Sequence, residues 1–172
     1  MSKNISILSG NPVENKFMNE LIEALIRGIE ESYHKVIKVD VSLKQLGYCK
    51  VCNSIKQPSQ SCSSVEDIDD IIQKMIEADT WILVTPVQVY ALDAFFRKIT
   101  NRESDFWVRL HKKAIYYILF ANQSNPSAQS ITLNSLRGHL NQIDKVQEKG
   151  IFYVIGNKQS SLLEAYEMGK KL

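Results

Sequence analysis

Every cysteine of the chain falls in one short stretch, YCKVCNSIKQPSQSC, at Cys49, Cys52 and Cys62. Thiols spaced Cys-x-x-Cys can close a disulfide or share a soft metal ion. A tetrahedral metal site takes four protein ligands, however, and His34, His111 and His139 lie in other segments without ligand spacing to these thiols. A metal centre, a dithiol switch and a loop whose cysteines no longer ligate anything all stay open on this stretch alone. Other chemistries find no support: there is no Ser-His-Asp order, no His-Glu-x-x-His and no Walker loop.

The elements around the cysteines are easier to read. Residues 4–8, NISIL, form a short β-rich run that ends at the turn formers Ser9, Gly10, Asn11 and Pro12. Phe17, Leu21, Ala24, Leu25 and Ile29 then recur at helical spacing, which predicts an amphipathic helix over 15–31. KVIKVDV (35–41) is a second strand, and the cysteine loop follows it. Ser64, with Glu66 and Asp67 behind it, opens a second helix whose buried face carries Ile68, Ile71, Ile72, Met75 and Ile76.

TWILVTP (80–86) and AIYYILF (114–120) are apolar without alternation, the pattern of strands covered on both faces. Trp81 within the first of them is expected in the core. A helix with Leu92, Phe95, Phe96 and Ile99 separates the two runs; Trp107 beyond it suits either core or interface. The polar loop ANQSNPSAQ precedes a helix carrying Leu133, Leu136, Leu140 and Ile143. DKVQEKG (144–150) reads as a solvated turn, GIFYVIG (150–156) as a fifth strand and 162–172 as a closing helix.

Five successive strand–helix units in 172 residues imply one α/β domain with a parallel sheet and helices on both faces. The expected architecture is a flavodoxin-like three-layer sandwich, strand order 2-1-3-4-5, spanning residues 1–172. In such sheets a ligand lies beyond the carboxyl ends of the strands, where the order reverses. That selects the loops after the first, third and fourth strands.

Composition limits the partners. Apolar residues make up 44% and charged residues 23%, with 21 basic and 19 acidic side chains interspersed. No basic face suggests nucleic acid, and no run approaches the about 20 apolar residues of a membrane span. A cytoplasmic protein with reduced thiols is the expectation.

The first switch-point loop, from Ser9 through Asn11, Pro12 and Asn15 to Lys16, runs from a strand into a helix N-terminus, where free amides and the helix dipole suit a phosphate. Gly10 is expected to permit an unusual backbone angle there, and a plain polar turn is the alternative. The second loop reads Thr85, Pro86, Val87, Gln88, Val89, Tyr90, with Tyr90 placed either to stack on a ligand or to pack.

ILSGNP leading into a helix, EADTWILVTPVQVYALDAFFRKITNR and the cysteine loop together resemble the NAD(P)H-dependent FMN reductases and their iron–sulfur flavoprotein relatives. The resemblance runs over about residues 3–156. Gly10-Asn11-Pro12 matches the phosphate loop and Thr85-Pro86-Val87 the segment after the third strand, while Arg97 stands where the family has a lysine and Asn101-Arg102 where it has an Asp-Arg pair in the next helix.

The resemblance implies an oxidoreductase using FMN, NAD(P)H as electron donor, and a quinone, nitro compound, free flavin or similar small-molecule acceptor. It also implies a homodimer. Ser9, Asn11, Pro12, Asn15 and the backbone of Lys16, Phe17 and Met18 would cradle the flavin phosphate. Pro86, Val87, Gln88, Val89 and Tyr90 would run along the ring with their amides toward its polar edge. Ala121, Asn122, Gln123, Ser124 and Asn125 would close its other side. No catalytic acid or base is implied.

The chain departs from the family pattern at Val13, where an arginine is usual, at Gln88, where a tyrosine is usual, and in a third loop without glycine. A binding or regulatory protein of the same fold that has lost tight flavin binding is therefore the alternative, and a one-electron carrier a third. Cys49, Cys52 and Cys62 match the relatives' cluster loop with Ile55 at the remaining position, so a complete [4Fe–4S] set is not expected.

Overall fold

In β3 (Thr80–Pro86) every residue up to Thr85 is buried, and its side chains alternate between two cores. Trp81 and Leu83 join one, Ile82 and Val84 the other. A strand of this kind must lie in the middle of three layers. The computed structural model describes residues 2–11, 15–41, 66–88, 90–100, 110, 112–141 and 146–172, with side chains given except at 66–69 and 98–100.

β1 (Asn4–Ser9), β2 (Lys35–Asp40), β3, β4 (Ala114–Ala121) and β5 (Gln147–Ile155) form one parallel sheet in the order β2-β1-β3-β4-β5. That is the order expected from the sequence. The chain leaves β1 for β2 on one side and returns to β3 on the other, which opens the crevice at the carboxyl ends of β1 and β3.

Helices α1 (Lys16–Glu31) and α5 (Gln159–Lys170) cover one face, burying Leu21, Ile22, Leu25 and Ala165 against Ile5, Ile7, Ile82 and Val84. Helices α2 (Glu66–Glu77), α3 (Ala91–Thr100) and α4 (Pro126–Leu140) cover the other, where Ile71, Met75, Phe95, Phe96, Leu133 and Leu136 meet Leu8, Leu83, Ile115 and Leu119. Trp81 is fully buried and its Nε1–H donates to the Met75 carbonyl at 2.9 Å, so it is core as expected. Lys113 donates to the carbonyls of Ile76 and Ala78 (2.7 and 2.6 Å), satisfying the last groups of α2.

Two boundaries differ from the sequence reading. β5 begins at Gln147, so 147–149 are not a solvated turn: Gln147 pairs with Ala114 and Glu148 with Ile115, ahead of a bulge before Gly150. These residues are polar because β5 is an edge strand with little covering its start. Helix α5 starts at Gln159 rather than Leu162, in a polar first turn that leaves no apolar periodicity to detect. The helix start expected at Ser64, the cysteine loop and Trp107 lie outside the described residues.

Candidate functional site

The strand ladders continue beyond the sheet and tie the switch-point loops together. The Gly10 amide donates to Val84 O (2.8 Å), Val87 to Phe120 O (2.7 Å) and Gly156 to Ala121 O (2.8 Å). Each loop thus starts from a fixed backbone position.

At the first loop, Asn15 caps α1: its Oδ1 accepts the Met18 amide at 3.3 Å, and its carbonyl accepts Asn19 N–H at 3.1 Å. The Met18 amide is therefore engaged and its side chain is buried in the core. The first amides of a helix have no partner within the helix itself, so those of Lys16 and Phe17 are not taken up by the ladder of α1. No acid in the first turn offsets the dipole there, and Lys16 is exposed and adds a full charge.

Ser9 faces the α1 side of the sheet, in step with Ile5 and Ile7. Its Oγ is fully buried and, among the described residues, has no hydrogen-bond partner. A buried hydroxyl left unpaired costs about 1–3 kcal/mol, and a phosphate oxygen at the helix start would satisfy it. On this observation the residues present fit the phosphate end of FMN. Asn11 is buried at the strand end, and Pro12 lies outside the described residues.

Gly10 serves differently from the sequence expectation. Its backbone is not in the left-handed region; what matters is the missing side chain, since a Cβ would lie 2.8 Å from Leu92 Cγ and 3.2 Å from Thr85 Oγ1. The glycine lets the end of β1 press against the start of α3, which joins the first loop to the second.

In the second loop Thr85 is buried, Pro86 and Val87 are half-buried, and Gln88 and Tyr90 are exposed, Tyr90 at 55%. Exposure at that level favours a free tyrosine face over a packing role. Gln88 has φ 67°, a left-handed conformation that costs a non-glycine residue about 1–2 kcal/mol. Its amide donates to Thr132 Oγ1 at 3.3 Å. The amides of Val87 and Gln88 are thus bonded within the chain, leaving side chains and loop surface as what these two positions can offer a ring. Val89 lies outside the described residues.

In the third loop Ala121 is half-buried, while Asn122, Gln123, Ser124 and Asn125 are exposed. The Asn125 side chain caps α4, accepting the Ala128 amide at 3.0 Å, with Pro126 at the first helical position. The glycine absent from this loop is supplied by its neighbour: Gly156, at φ 68°, lies beneath the Asn122 carbonyl.

Phe17 leans on Phe120 with ring centroids 6.1 Å apart, bridging the first and third loops. The hollow beside Thr85, Tyr90, Leu92 and Thr132 holds only about 10 Å³, space for a single water. A larger cavity of about 430 Å³ opens between α5 and β4–β5, lined by Tyr116, Phe152 and Met168 among others, and includes none of the loop residues.

One cluster was not anticipated from sequence. Asp93, almost buried at the start of α3, accepts from the Ser135 hydroxyl and from His139 Nε2 (2.9 Å), with Arg97 Nε at 3.3 Å. Burial alone pushes its carboxyl up, but the hydrogen bonds from Ser135 and His139 and the charges of His139 and Arg97 outweigh it and hold the carboxyl below its ordinary range. Phe96 stacks on the imidazole at 6.0 Å. The carboxylate, not the imidazole, receives the serine hydroxyl, so this is not a nucleophile–base pair. Polar residues recurring beside the leucine stripe of α4 were the available signal.

Among the described residues no three His, Cys, Asp or Glu side chains gather as a metal site, and no helix is long and apolar enough to cross a membrane. Cys49, Cys52 and Cys62 lie outside the described residues.

Comparison with known proteins agrees with this fold. An iron–sulfur flavoprotein of Archaeoglobus fulgidus is 24% identical over 146 residues, covering 83% of this chain and 62% of the relative. An iron–sulfur flavoprotein of Methanocaldococcus jannaschii is 28% identical over 95 residues, covering 55% of this chain and 49% of the relative. The chain therefore spans less than two thirds of the length of either. Among solved structures, the NAD(P)H:quinone oxidoreductase of Methanothermobacter marburgensis superposes with a TM-score of 0.69 at 15% identity, covering 99% of this chain and 97% of that one, which speaks for the fold. The model of the NADPH-dependent FMN reductases matches residues 4–146, and the chain belongs to that family.

Proposed function

We propose that the protein binds FMN across the three switch-point loops and works as an oxidoreductase. It would draw electrons from NAD(P)H and deliver them to a quinone, nitro compound, free flavin or similar small acceptor. The observation that carries the reading is the Ser9 hydroxyl, unpaired among the described residues and buried on the sheet face that α1 covers, beside a helix start whose first amides lie outside the helix's own ladder. FMN, when bound, supplies the hydride and electron chemistry itself. The chain's part is to hold the phosphate at Ser9, Lys16 and Phe17, and to present the 86–90 and 121–125 segments to the ring. Its neutral rim of Gln88, Tyr90, Asn122, Gln123 and Ser124 suits uncharged acceptors. A cytoplasmic homodimer is part of the same reading.

One observation favours a second reading, a fold-alike that binds flavin weakly and serves as a partner module: the Val87 and Gln88 amides are already bonded within the chain. Adding FMN to the purified protein, removing the excess and recording the visible spectrum decides between them. Retained flavin absorption together with NADH or NADPH oxidation is expected. Loss of both contradicts the enzyme reading and leaves the second.

A further inference from the structure

Thr132, Ser135 and His139 lie three and four positions apart and so line one face of α4 over two turns. Between them they reach the 86–90 segment and the helix it leads into. Thr132 Oγ1 accepts the Gln88 amide at 3.3 Å while donating to the Ala128 carbonyl at 3.0 Å, which fixes the direction of the hydroxyl. Ser135 and His139 both bond Oδ1 of Asp93, in the first turn of α3. The 86–90 segment is thus bracketed: its own amide at Gln88 and the helix it leads into are gripped by a single helical face. Gln88 keeps its left-handed backbone within that grip. Such conformations persist where surrounding contacts over-determine them, and they gather at ligand clamps.

We propose that this face of α4 is a mould for the 86–90 segment. Thr132 is a positioning residue acting through the Gln88 amide, and Ser135 and His139 are positioning residues acting through Asp93. The affinity and potential of a flavin lying on the segment depend on them. A purely adhesive role between α3 and α4 would need only Ser135, His139 and Asp93; the Thr132 contact to a loop amide is what such a role leaves unexplained. The consequence for flavin rests on the function proposed above, whereas the placement of the segment does not.

The test begins without flavin. Amide hydrogen exchange at Gln88 is followed by NMR in the wild type, Thr132→Val and Thr132→Ser, with Leu83 in β3 as an internal reference. Loss of one hydrogen bond should speed Gln88 exchange about fivefold in Thr132→Val, leave Leu83 unchanged, and be reversed in Thr132→Ser. Unchanged Gln88 exchange in Thr132→Val overturns the proposal. FMN is then added: a several-fold weaker dissociation constant and a shifted midpoint potential in Thr132→Val, restored by Thr132→Ser, support it, and identical values in all three overturn its flavin consequence. If the wild type takes up no FMN, the function reading fails, and the Gln88 exchange rates still decide whether α4 moulds the segment.

Discussion

On the α1–α5 side of the sheet the buried contact is made by shape, and the hydrogen bonds from Tyr166 to Glu31 and from Ser32 to the Lys170 carbonyl lie at its exposed rim. A Cβ on Gly28 would lie 2.1 Å from the Tyr166 carbonyl oxygen, and one on Gly169 would lie 2.4 Å from that of Leu25, so the two helices meet backbone to backbone. On the α3–α4 side the helices are joined through Asp93, Ser135 and His139 as well as through Phe95, Phe96 and Leu136. Close packing has no preferred chemistry and tolerates little displacement. Hydrogen bonds at a half-buried seam are directional and can be remade. The side facing the second and third switch-point loops is the one built from remakeable contacts.

The contrast can be broken most forcefully at the glycine seam. Gly28→Ala should cost about 3 kcal/mol, the upper part of the usual range for overpacking, read as a lower urea midpoint. A shift near zero would mean that α1 and α5 can separate at little cost.

The polar seam should respond less strongly, and with pH. Asp93→Asn is expected to lose about 1–3 kcal/mol at neutral pH. Because the folded carboxyl titrates below its unfolded value of about 3.9, its contribution is fully present above that value and is lost as pH falls through the lower folded one. Urea midpoints of wild type and variant should therefore converge between neutral pH and strong acid. A constant gap would assign the loss to packing instead.

At the periphery, Arg137 and Glu148 form a two-pronged ion pair (2.8 and 2.6 Å) linking α4 to the edge strand β5. Both side chains are more than a third exposed, so solvent screens the pair. Arg137→Ala should shift stability by no more than about 1 kcal/mol.

How much of this was legible in the sequence follows from what each feature depends on. β3 and β4 announce themselves because both of their faces are buried, which leaves unbroken apolar runs such as TWILVTP. The start of β5 lacks that signature, since only its pairing to Ala114 and Ile115 makes it strand. The phosphate end of the site was readable as a turn entering a helix. The Asp93 cluster was not, because its partners stand 42 and 46 residues away and no local pattern pairs them. Nor does any pattern reveal that the Val87 and Gln88 amides are already spent, or that Gly10 is needed for its contact with Leu92 rather than for its backbone angle.

The central claim is that the start of α1, with Ser9 and Lys16, holds a phosphate. Calorimetric titration of the protein with FMN and, separately, with riboflavin isolates that group, since the two ligands differ only by it. FMN should bind about tenfold tighter or more, as one phosphate seated on helix amides and a cation predicts, and Lys16→Ala should narrow the gap by about two- to fivefold. Equal affinity for the two ligands would contradict the account.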